Sequence, residues 1–273
     1  MRNPTTGILL KLGSVFLFTV MGAILKATAP VVPTGEQVFF RSFFGIPVIL
    51  AWLALKGELA SGLRAANPLA HAYRGIVGTI SMGCGFAGLG LLPFPEATAL
   101  NYAMPLMTVI FAAMFLDERV GLFRLSMVAL GFAGVLVILS QRLSVGVGEA
   151  SPEETLGAML TLSGAAFGAL TQIFISRMVL TEKTSAVVFW FLVTASLLSL
   201  VTLPFGWVVP DAGTSGLLIL AGLFGGLAQI MLTSSYRFAD ASLVAPFDYA
   251  SMLMALAIGW FVFGEGASAR MLL

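Results

Sequence analysis

A single cysteine, Cys84, and a single histidine, His71, are all that this chain offers to redox or soft-metal chemistry. One cysteine closes no internal disulfide, and one loop histidine does not complete a metal site with it, so neither a cofactor nor a metal is expected. Charge is scarce too. Asp, Glu, Lys and Arg make up 10% of the 273 residues and balance to a net charge of +1. The basic residues are spread through short loops and never gathered in a tail, which argues against nucleic acid as a partner. There is no G-x-x-x-x-G-K-[ST] loop, so ATP is not the evident energy source. The paired acids or histidine pair that an intramembrane enzyme would need are also missing; no catalytic residue is assigned and an enzyme is not expected.

What the chain has is apolar length. With 59% hydrophobic residues and a mean hydropathy of +1.01, it is too apolar to keep a soluble surface, so it must fold in lipid. A hydrocarbon core of ~30 Å takes roughly 20 apolar residues of helix. Such lengths recur at about 7–28, 36–55, 73–92, 95–116, 123–140, 155–177, 185–205, 213–234 and 241–263. The first has no A-x-A-like cleavage pattern after it and reads as a retained span. Helices follow because lipid leaves backbone groups no outside partner.

The chain also repeats itself. The stretch Glu96 to Glu118, EATALNYAMPLMTVIFAAMFLDE, returns 147 residues later as LVAPFDYASMLMALAIGWFVFGE, ending at Glu265. Tyr102 falls on Tyr249, Leu106 on Leu253, Met107 on Met254, and Asn101 on Asp248. At an offset of 150, Gly7 meets Gly157, Leu10 meets Leu160, Thr34 meets Thr184 and Phe39 meets Phe189. Two copies in the same order imply a duplicated unit.

An apolar helix with a proline-broken start that runs into FLDERV or FGE resembles the EamA-type unit of the drug/metabolite transporter superfamily, and the resemblance covers nearly the whole chain. It implies an all-α integral membrane protein of two five-helix repeats, at 1–140 and 155–273 around an outer linker at 141–154. The tenth helix would begin near Arg270, so the last helix is expected to be missing from this chain. Five spans is an odd number, so the second unit enters the membrane from the opposite side and the repeat is inverted. Arg2, Lys11, Lys56, Arg64, Arg74, Arg119, Arg124, Arg177, Lys183 and Arg237 then share one side, against Lys26, Arg142 and Arg270 on the other. That excess places the N-terminus in the cytoplasm. By resemblance, such proteins lie in the bacterial inner membrane and carry amino acids, nucleotide sugars, cofactors, purines or drugs.

Ionisable groups inside a span cost roughly 2.5–3.5 kcal/mol at its centre and are functional candidates by default. Arg41 and Asp248 qualify. Arg41 is expected in the outer half with Asn101 and Tyr102, and Asp248 in the inner half with Tyr249, Gln172 and Gln229. Two polar layers would then bracket a central chamber, with all seven residues as candidate substrate contacts and Asp248 as the point of proton coupling. The plainer alternatives are that Arg41 snorkels to the headgroups and that Asn101, Gln172 and Gln229 only cross-link helices. Gly78, Gly83, Gly85, Gly88 and Gly90, with Gly222, Gly225 and Gly226, read as close helix packing, as a dimer face or as the wall of a cavity. Monomer and homodimer both remain open.

The expected function is a secondary active transporter that moves a small organic metabolite across the lipid bilayer by alternating access, proton-coupled or by exchange. Within that class, uptake of a cofactor such as riboflavin or S-adenosylmethionine stands beside export of a metabolite or drug. The alternative class is a membrane assembly subunit that transports nothing.

Overall fold

A computed structural model describes residues 3–116 and 151–264, together with residues 121, 126 and 133. Apart from residues 126 and 133, the expected span at 123–140 lies outside these, as do the repeated acids Glu118 and Glu265. The helices are α1 (Pro4–Thr28), α2 (Thr34–Phe43), α3 (Ile46–Leu55), α4 (Leu59–Gly62), α5 (Pro68–Leu91), α6 (Phe94–Asn101), α7 (Ala103–Phe115), α8 (Pro152–Met178), α9 (Thr184–Ser199), α10 (Ala212–Phe238), α11 (Ala241–Val244) and α12 (Ser251–Ile258). No strand occurs among the described residues. Among the described residues, and counting each helix with its direct continuation, seven are long and apolar enough to cross a membrane by length and composition. The 24-residue α5 is not among the seven; it is diluted by glycine and carries Arg74.

Local chemistry sets the boundaries. Asn3 and Asn67 accept from the backbone N–H of Thr6 and Ala70, and each is followed by a proline whose missing N–H costs nothing in a first turn. Ser151 and Glu154 close a reciprocal capping box on α8, and Asp211 accepts from Gly213 and Thr214 at the head of α10. Two spans are broken in mid-course. Between α6 and α7 the helix turns at Tyr102, where Pro105 offers no N–H to the carbonyl four residues back; in the last described span, a 3₁₀ segment carrying Pro246, Ala245–Ala250, separates α11 from α12.

The bundle inverts the distribution of a soluble protein. Large apolar side chains such as Leu9, Phe16, Leu55, Leu253 and Phe261 face outward, whereas Lys11, Glu36, Gln37, Arg41, Arg74, Gln172 and Gln229 are buried. Helix α1 lies along α10, α5 along α8, α2 along α9, and α6 along α12. Glycine permits the closest of these approaches. A Cβ on Gly164 of α8 would come within 2.9 Å of the Gly85 nitrogen, one on Gly226 of α10 within 2.9 Å of Gly45 Cα, and one on Gly88 within 2.2 Å of Thr161 Oγ1. Gly83 instead has nothing within 4 Å of that position, and Gly78 and Gly85 border a cavity.

Candidate functional site

A cavity of about 320 Å³ lies among α1, α2, α5, α6, α8, α9, α10 and the 3₁₀ segment. Arg41, Asn101, Tyr102, Gln172, Gln229 and Asp248 all line it, so six of the seven candidate residues meet in one space. The seventh, Tyr249, stands behind the wall, its ring centre 4.9 Å from that of Tyr102.

The pairing inside differs from two separate layers. Arg41 donates from Nη2 to Gln229 Oε1 at 3.2 Å, joining a residue expected in the outer half to one expected in the inner half. A side chain as long as that of arginine reaches beyond the depth that counting along the axis assigns to its Cα. Gln172 does not meet Asp248; its Oε1 accepts from the Tyr236 hydroxyl at 2.5 Å and, more weakly, from Thr108 at 3.5 Å. The Tyr102 hydroxyl shares a hydrogen bond with Ser251 at 3.1 Å, and Ser251 donates to the Asp248 carbonyl at 2.7 Å.

Two charged residues of the wall escaped the sequence reading, which counted both with the loop charges. Lys11 is 1% exposed, and its Nζ stands 2.9 Å from Asp248 Oδ2. Each partner sits about seven residues into its span, or ~10 Å at 1.5 Å per residue, so they meet at one depth. Arg74 is 2% exposed, with Cζ 3.6 Å from the centre of the Phe191 ring. A signal for both was present. Lys11 continues a stripe with Gly7, Ser14 and Val15, and Arg74 one with His71, Gly75 and Gly78, at the three- and four-residue spacing of a single helix face.

At one end of the bundle, the turn between α8 and α9 is fastened to the segment before α5. Glu182 accepts from the Ala66 and Asn67 N–H groups at 2.9 and 2.7 Å and lies 3.4 Å from His71 Nε2. Burial alone would push the Glu182 carboxyl up, but the two amides and His71 together hold it below its ordinary range. Burial pushes His71 down, against the pull of Glu182. Ser185 donates to the Gly62 carbonyl at 2.6 Å and Trp190 to that of Leu63 at 2.9 Å. At the other end, the Val208 N–H donates to Glu36 at 3.0 Å, joining the chain after α9 to the start of α2.

A cavity among long helices, with a few charged and amide side chains on an otherwise apolar wall, suits a carrier of small molecules, and comparison with known proteins agrees. The chain belongs to the EamA-like transporter family, which it matches over residues 5–140. A riboflavin transporter of Rhizobium johnstonii is 31% identical over 233 residues, 85% of this chain and 74% of that protein. The pseudopaline exporter CntI of Pseudomonas aeruginosa is 27% identical over 261 residues, 95% and 88% of the two chains, and an S-adenosylmethionine uptake transporter of Rickettsia conorii is 26% identical over 230 residues, 84% and 75%. A solved crystal structure at 22% identity shares the fold, with a TM-score of 0.74 over 98% of this chain and 92% of that chain. The protein is thus a multi-pass membrane transporter of the drug/metabolite superfamily.

Proposed function

We propose that the chain is a secondary transporter that carries a small organic metabolite across a bacterial inner membrane by alternating access, with its N-terminus in the cytoplasm. The observation that carries this reading is the cavity with buried arginine, lysine, aspartate and glutamine side chains on its largely apolar wall, because hydrocarbon and packed protein alike disfavour buried groups without partners. Arg41, Asn101, Tyr102, Gln172, Gln229 and Asp248 are its substrate contacts, with Tyr249 buttressing Tyr102. Asp248, held by Lys11, is the site of proton coupling.

Alternating access follows from two units of opposite sense. Several features support that reading. Helix boundaries recur at the sequence offsets: α1 and α8 end at Thr28 and Met178, α2 and α9 begin at Thr34 and Thr184, α5 and α10 end at Leu91 and Phe238, and α6 and α11 begin at Phe94 and Ala241. Corresponding turns stand at opposite ends: the one after α1 is near the chain after α9, and the one after α8 is near the segment before α5. Contacts between the units pair first with eighth span, third with sixth, second with seventh and fourth with ninth, as a two-fold axis in the membrane plane requires. Tyr102 and Tyr249, equivalent under the offset, touch each other, as residues beside such an axis must.

The relatives' names include both uptake and export, so direction is not part of the proposal. With Cys84 replaced by serine, a cysteine at position 101 should react with a membrane-impermeant thiol reagent in proteoliposomes, faster under one pH gradient than under its reverse. A cysteine protected under all conditions would identify a packed scaffold instead.

A further inference from the structure

The cavity wall formed by α2, α5 and α9 carries two guanidinium groups with no carboxylate to meet them. Arg41 and Arg74 are both buried, both line the cavity, and both rest on one aromatic ring, with Cζ 5.3 and 3.6 Å from the centre of Phe191. Most of their donors are unused. Beyond the Arg41–Gln229 bond, Nε and Nη1 of both side chains lack an acceptor among the described residues. Ion pairs join Lys11 to Asp248, His71 to Glu182 and Lys183 to Glu58, and none of these reaches either arginine.

The backbone makes room for these two heads. A Cβ on Gly78 would stand 2.6 Å from Arg74 Nη1, and one on Gly225 would stand 3.0 Å from Arg41 Nε. Glycine at those positions lets the Arg74 head lie along its own helix and the Arg41 head lie against α10, with both residues still lining the cavity.

A guanidinium keeps its proton at any physiological pH. Two of them in a low-dielectric wall without a counter-charge repel each other and lose hydration that nothing replaces. The rings of Phe191 and Phe18 offset part of that loss, but they accept none of the directional N–H bonds. The missing component is an acceptor with negative charge spread over two or more oxygens, to which the planar arginine fork binds in two-pronged fashion. The remaining charges of the wall point the same way. Lys11 and Asp248 cancel each other, so the lining keeps an excess of two positive charges.

We infer that, on the transport reading above, the substrate is an organic oxyanion whose carboxylate or phosphoryl group is held between Arg41 and Arg74 beside Phe191. Asn101, Tyr102 and Gln172 are left to select among the bodies that such a group is attached to.

The test uses the purified full chain in detergent. Its thermal unfolding midpoint is followed with succinate, citrate and glycerol 3-phosphate against chloride at equal ionic strength, with riboflavin as the uncharged comparison, in the wild type and in the double variant Arg41→Gln/Arg74→Gln. At least one oxyanion should raise the wild-type midpoint, and the double variant should bind it about tenfold or more weakly. Which one does so separates a carboxylate from a phosphate ester. Without added anion the double variant should melt no lower than the wild type, because it loses an uncompensated charge pair; arginines serving a structural ion pair would give the opposite result. Arg74→Lys keeps the charge and loses the fork, so it should retain only part of the shift. The inference is overturned if no oxyanion shifts the wild type, if the shift survives in the double variant, or if riboflavin alone binds, and equally to both. That last outcome would leave the transport reading intact, since the accessibility of position 101 tests it separately.

Discussion

Lys11 Nζ and Asp248 Oδ2 lie 2.9 Å apart inside the bundle, one from the first span and one from the last described span, on the wall of the cavity. A buried pair of this kind adds little net stability, but the loss of one partner strands the other, at a cost of about 3 kcal/mol or more. Lys11→Met and Asp248→Asn should therefore each lower the melting midpoint. The double variant should recover most of the loss, and a double-mutant cycle of thermal unfolding measures this coupling. Transport by the double variant should no longer respond to a pH gradient. Retained pH dependence would remove Asp248 from the coupling role.

The fastening of Glu182 to His71, Ala66 and Asn67 should weaken as pH falls, in two stages. Burial holds His71 below its ordinary value of 6.5, so the released state takes up a proton first. The contribution of His71 is present above about pH 6.5 and lost below it. Glu182 is held below its ordinary 4.5, so its contribution is complete above that value and disappears as pH falls toward its depressed one. Protection of the amides in the segment 58–67, taken relative to the intrinsic exchange rate at each pH, should fall on acidification from pH 7 to 4. His71→Gln should remove the upper stage, and Glu182→Gln should leave the segment weakly protected at every pH.

Two glycines of one helix should respond oppositely to alanine. At Gly88 the added methyl meets Thr161 and the Gly157 carbonyl, at 2.2 and 2.8 Å, where α5 lies on α8. Overpacking there should cost about 1–3 kcal/mol. At Gly83 nothing stands within 4 Å, so alanine should be neutral or stabilise by up to about 1 kcal/mol through helix propensity. Midpoints of the two variants measured side by side decide this, and equal effects would contradict the α5–α8 contact.

Much of this was legible in the sequence because lipid restricts a chain so severely. Apolar run length located the seven described helices that are long and apolar enough to cross a membrane, and the Tyr102–Tyr249 register is the sequence signal for the proposed duplication. The charged wall was harder. Lys11 and Arg74 fall within four residues of the ends of the expected spans 7–28 and 73–92 and were counted with the loop charges, whereas α1 begins at Pro4 and α5 at Pro68, which sets both residues deeper. Capping by Asn3 and Asn67 extends each helix past its apolar run. Depth along an axis also gives no bearing around it, so the meeting of Arg41 with Gln229 could not be read from residue counts.

The ion pair has a counterpart that carries no charge. Under the two offsets Lys11 corresponds to Thr161 and Asp248 to Asn101, and all four border the same cavity. A duplicated carrier with matching ends would run equally well in either direction. On the inverted repeat proposed above, one half of that cavity carries an ion pair and the other only neutral dipoles, so acidity should act on the two halves unequally.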